Sequence, residues 1–167
     1  MNKKAPKPSS RSRSTARLAA VQALYDADVT GDPVETLLKD FLDHSIGSRA
    51  IVTDEDDETE TEVTLAAPDP ILLAAILRGS LERAEQLDEI VAKALTGDWT
   101  VERLEAVLRA ILRAAAFELT AMPETPARVV ITEYVDIAGA FYAGPEPGLV
   151  NAVLDRIARV VRAAELG

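Results

Sequence analysis

The sequence contains no cysteine, which excludes a disulfide framework, a thiolate zinc site and a cysteine nucleophile. Histidine occurs once, as His44, so a Ser–His–Asp relay would have to run through that residue. It sits near the end of an expected helix, where an imidazole suits the helix dipole better than it suits catalysis. Long apolar runs are also missing. The longest, AAPDPILLAAIL, is cut by two prolines and an aspartate and cannot span a bilayer. The basic N-terminus leads into a helix of mixed character, not a smooth apolar segment with a cleavage site, so the default reading is a cytoplasmic protein. Neither a G-x-G-x-x-G turn nor a P-loop is present, and the strand suggested by EVTLA has no partner run. Carboxylates are plentiful, yet none is visibly paired in an apolar setting that would shift its pKa. These absences argue against an enzyme and leave no cofactor or metal site to expect.

What remains is helical. With 167 residues the chain can bury a core without staples. The last third sets the pattern: Leu104, Val107, Leu108, Ile111, Leu112, Ala115 and Leu119 follow the i, i+3, i+4, i+7 spacing of a core-facing helix. The same spacing recurs at Val130, Ile131, Tyr134, Val135, Ala138, Phe141 and Tyr142, and again, after a break at GPEPG, from Leu149 to Val161. Upstream, a helix is expected from Ser12–Thr15 to about Asp28, burying Leu18, Val21, Leu24 and Tyr25. Asp32-Pro33 and Asp69-Pro70 read as N-caps followed by a first-turn proline. They open a second helix with Leu37, Leu38, Phe41 and Leu42 inside, and a third that runs unbroken to Leu95 before Gly97. Thr100 and Thr125 are the expected caps of the two helices that follow. Trp99 reads as a packing anchor at the helix joint. The short connections predict an all-α fold of about six or seven helices in packed bundles.

Charge is unevenly placed. The net value is −10, yet residues 1–17 hold Lys3, Lys4, Lys7, Arg11, Arg13 and Arg17 and no acid. A basic arm on an acidic body is the pattern of a segment that seeks phosphates. Arg13 and Arg17 share one side of the first helix, with Tyr25 two turns beyond. Cations for phosphates and an aromatic for stacking are what single-stranded RNA requires. Periodicity alone, however, places both Tyr25 and Phe141 in the core. The division expected is a disordered basic arm over residues 1–12 and a helical domain over 13–165, interrupted by an insertion at 46–67. That insertion carries seven acids between Asp54 and Glu62. It lacks the glycine an EF-hand loop needs, and it reads as a solvated loop.

Four ordered segments, ARLAAVQALYDAD, LRAILRAAAFEL, ITEYVDIAGAFY and LVNAVLDRIARVVR, resemble the transcription antitermination factor NusB family. The resemblance covers about residues 13–162. It implies two small helical bundles without catalytic activity. The implied partners are the boxA element of nascent RNA, the tenth small-subunit ribosomal protein (also called NusE) and the RNA polymerase antitermination complex on ribosomal RNA operons. The RNA-contacting residues it implies are Arg13, Arg17, Tyr25 and Phe141, to which charge and adjacency add Lys7 and Arg11. Ser14 and Thr15 stand where better-known members carry arginines, and Leu149 stands where an aromatic is usual. Two other readings fit the same residues: a helical scaffold that binds only protein, and an RNA-binding accessory domain in ribosomal RNA processing.

Overall fold

The computed structural model describes residues 9–45, 49–53, 60–64 and 66–166. Seven main helices carry the fold: α1 Ser10–Thr30, α2 Val34–Ser45, α3 Pro70–Glu82, α4 Ala84–Ala94, α5 Ala106–Ala121, α6 Ala127–Phe141 and α7 Glu146–Val161. A single turn, α8 Ala163–Leu166, follows. Helix α5 is the shared axis, and its sequence explains why. AVLRAILRAAAFELTA is apolar on nearly every side, and ten of its residues from Leu108 to Leu119 are buried; a helix of that kind must be surrounded. It packs against α1 and α3 on one side and against α4, α6 and α7 on the other. The result is the expected two bundles, one built on α1–α3 and one on α4–α7, with α5 common to both. Helices α1 and α5, which pack together, are both rich in buried alanine. Ala16, Ala20 and Ala23 on α1 and Ala114, Ala115 and Ala116 on α5 are almost fully buried, and small side chains let helix axes approach closely.

Helix α1 begins earlier than the sequence suggests. Ser9 is its N-cap, accepting from the Ser12 amide at 3.1 Å, so the last residues of the expected arm are already helical. Gly31, at φ 72°, terminates it in the left-handed conformation, its amide donating to the Ala27 carbonyl; a residue with a Cβ is disfavoured there. Asp69 caps α3 as expected, accepting from the amides of Ile71 and Leu72.

Four expectations need correction. The helix expected over 70–95 is two helices that part at Arg83 (φ −111°, ψ 21°). Helix α3 belongs to the first bundle, against α1 and α2, whereas α4 belongs to the second, against α5 and α7; a straight rod could not serve both. Neither Thr100 nor Thr125 supplies a side-chain cap; Glu105 and Pro126 occupy the cap positions of α5 and α6. GPEPG is not wholly a break, because α7 starts inside it at Glu146 with Pro147 in the first turn, where proline costs no hydrogen bond. The insertion holds an antiparallel hairpin, β1 Arg49–Thr53 with β2 Glu60–Thr64, in which Ile51 faces Glu62 and Ala50 faces Val63. The strand through EVTLA thus does have a partner, RAIVT, whose β-branched residues favour it. The acidic tip from 54 to 59 and the arm through residue 8, with Lys7, lie outside the described residues.

Candidate nucleic-acid interface

The N-terminal turn of α1 is held in place by polar contacts. Ser12 donates its hydroxyl to the Ala67 carbonyl at 2.9 Å and accepts the Asp69 amide on its own carbonyl at 3.0 Å. Ser14 donates to the Glu133 carboxylate on α6, 2.8 Å to the nearer oxygen. The two hydroxyl residues that thin the arginine run therefore include one that ties α1 to α6. Arg11 and Arg13 are exposed.

Arg17 points the other way. It is 2 % exposed and grips Glu118 of α5 with two parallel bonds, Nε to Oε2 at 2.8 Å and Nη2 to Oε1 at 3.0 Å. Tyr134 of α6 donates its hydroxyl to the same Glu118 Oε2 at 2.6 Å, and Glu133 stands 3.8 Å from Arg17 Nη1. Burial alone would depress the Arg17 pKa, but the hydrogen bond and charge of Glu118 outweigh it and the net shift is upward. Burial raises the Tyr134 phenol well above its usual value, and the Glu118 charge pushes it further. The expectation that Arg17 faces RNA is thus corrected: its guanidinium is spent inside the protein, joining α1, α5 and α6. The signal for this was in the sequence. Glu118 is an acid among the apolar residues AAAFEL of α5, and such a group is buried only with a partner.

Tyr25 and Phe141 are brought together. Tyr25 is 37 % exposed and Phe141 44 %, so periodicity misplaced both in the core. They line one cleft of about 470 Å³ between α1, α2, α5 and α6, with Phe41, Val107, Gln22 and Asp26. Gln22, Asp26 and Phe41 were missed as site residues. For the two on α1 the available clue was spacing, since Gln22 lies i, i+3 from Tyr25 and i, i+4 from Asp26. Going back along α1 at helical intervals from Gln22 leads through Leu18 and Thr15 to Arg11. Arg11 therefore shares the stripe that ends in the cleft, while Arg13 lies around the helix from it. Among the described residues, no group of acids and histidines could hold a metal, and no helix is long and apolar enough to cross a membrane. His44 lies in α2, its side chain outside the described part.

Two helical bundles on one shared, largely buried helix define a class of small all-helical proteins. Comparison with known proteins gives the family. The NusB family model matches residues 14–159, and this chain belongs to the NusB family. A transcription antitermination protein NusB of Rhodospirillum rubrum is 49% identical over 160 residues, 92% of this chain and 86% of that protein. One from Caulobacter vibrioides is 44% identical over 90% of this chain and 94% of its own. Among solved structures, T. maritima NusB superposes with a TM-score of 0.69 at 26% identity over 88% of this chain and 90% of that one. NusB in a complex of antitermination factors NusB and NusE with dsRNA superposes at 0.70 over 91% of this chain and 99% of that one, at 22% identity.

Proposed function

We propose that this chain is a non-catalytic RNA-binding antitermination factor, acting in the cytoplasm. In this reading it recognises boxA in nascent RNA together with the ribosomal protein NusE and acts on RNA polymerase at ribosomal RNA operons. The observation that carries the reading is the face of α1. A cation, Arg11, stands at one end of a helical stripe, and an aromatic cleft with Tyr25 and Phe141 at the other. Cations hold the backbone and aromatics stack on splayed bases. Arg13 adds an exposed cation to the same turn of α1, on another side of the helix, while Arg17 supports the face from within by fixing α1 on α5; Lys7 is included on charge and adjacency alone. The family relatives named above are antitermination proteins, and the fold is one that a NusB bound with NusE and dsRNA adopts.

The test is fluorescence anisotropy of labelled boxA RNA against a scrambled RNA, with the full chain alone and with NusE, at two salt concentrations. The reading predicts that NusE tightens binding to boxA over the scramble. It also predicts that affinity falls steeply with salt, and that Arg11→Ala with Arg13→Ala makes the fall shallower. Equal binding of boxA and scramble with NusE present would overturn it. A chain that bound NusE and no RNA would be the protein scaffold instead.

A further inference from the structure

Resting on the RNA-binding reading above, we propose that the cleft between α1, α2, α5 and α6 accepts one unstacked RNA base, and that Asp26 with Gln22 selects guanine there. At about 470 Å³ the cleft is within the range of small-ligand sites, which combine apolar walls with a few converging polar groups. Its walls are the rings of Tyr25, Phe41 and Phe141 and the Val107 side chain; its polar groups are Gln22 and Asp26. On α1, Gln22 lies one turn before both Tyr25 and Asp26, at i, i+3 and i, i+4, and all three line the cleft, so polar groups of that helix stand beside a stacking ring.

The carboxylate is the informative group. Other acids on or against α1 are committed: Asp28 of α1 to Arg113, Glu118 of α5 to Arg17 and Tyr134, Glu133 of α6 to Ser14 and, at longer range, Arg17. The Asp26 carboxylate makes no ion pair or hydrogen bond among the described residues; only its backbone carbonyl is used, accepting from Thr30. An uncommitted acid repels phosphate, so in an RNA cleft it serves a group that donates, a ribose hydroxyl or a base edge; beside the stacking rings the base edge is the closer fit. Ionised, it is purely an acceptor with two oxygens. Guanine alone among the four RNA bases presents two adjacent N–H donors, N1–H and the N2 amine, that match both oxygens at once. Gln22 brings an amide whose NH₂ can donate to guanine O6 or N7.

The probes are fluorescein-labelled oligouridylates bearing one central guanosine, or inosine, which keeps N1–H and lacks the N2 amine. Anisotropy titrations use the full-length chain at low salt. The guanosine RNA should bind about tenfold tighter than the inosine RNA, the scale of one hydrogen bond to a charged group. In Asp26→Asn, with unchanged far-UV circular dichroism, that ratio should fall to near one, since an amide cannot accept two donors side by side. A ratio of one in the native chain, or a ratio that persists in Asp26→Asn, overturns the guanine assignment. If the RNAs bind with normal salt dependence but without discrimination, only this inference falls. If none binds in a salt-dependent way, the RNA reading falls with it.

Discussion

A buried arginine facing a buried glutamate is costly to half-remove. With Arg17 and Glu118 both almost fully inside, Arg17→Met leaves a carboxylate with only the Tyr134 hydroxyl, and destabilisation of about 3–5 kcal/mol is expected in urea unfolding. The double variant Arg17→Met, Glu118→Leu should be less destabilised than the sum of the two singles, because neither charge is then stranded. Additive losses would show that the pair does not act as a unit. Tyr134 adds a pH dependence. Its folded pKa is raised well above the ordinary phenol value, whereas the unfolded chain titrates near about 10. Above that pH the unfolded state binds fewer protons than the folded one, so stability present at lower pH is lost as pH rises. Urea midpoints from pH 8 to pH 11 should fall, and Tyr134→Phe should flatten the fall; an unchanged slope would contradict the assignment. At this scale the sequence was least legible. Arg17 sits beside Arg13 in a basic arm, and its inward turn depends on Glu118, 101 residues away.

Elements were easier to read where local chemistry decides them. Asp69-Pro70 announced α3, and Asp69→Ala should cost about 1 kcal/mol by removing the acceptor for two amides. The division at Arg83 was not legible, since LERAEQL continues a good helical pattern and the turn serves two different bundles. Close packing at Gly79 was equally hidden. A Cβ there would come within 2.1 Å of the Phe117 ring, so Gly79→Ala on α3 must push α5's ring aside. A loss of about 1–3 kcal/mol is expected, the range for overpacking a filled core, even though alanine favours the helix. Stabilisation instead would mean that Phe117 yields freely. Phe117 is also where Arg83 rests, its guanidinium 5.7 Å from the ring centre. The hairpin of β1 and β2 was missed because RAIVT, the partner of the strand suggested by EVTLA, lies at the start of an insertion whose acidic run reads as a solvated loop.

For the molecule as a whole, the helical bundles could be read from the apolar stripes, and the four ordered motifs alone pointed to the NusB family. The interface was half legible. Charge asymmetry singled out α1, and Arg11 was included only on charge and adjacency, yet it is the cation whose helical position leads into the cleft. Exposure of Tyr25 and Phe141 could not come from periodicity, because an aromatic at the rim of a cleft and one in the core occupy the same helical phase. The most direct measurement is backbone amide NMR of the full chain titrated with boxA RNA in the presence of NusE, compared with NusE alone. The RNA-specific shifts should run along α1 from Arg11 to Asp26 and reappear at the end of α6 around Phe141, with Arg17 and Glu118 moving little. Shifts confined to other faces of the bundles, or none beyond those NusE causes, would contradict an RNA face on α1.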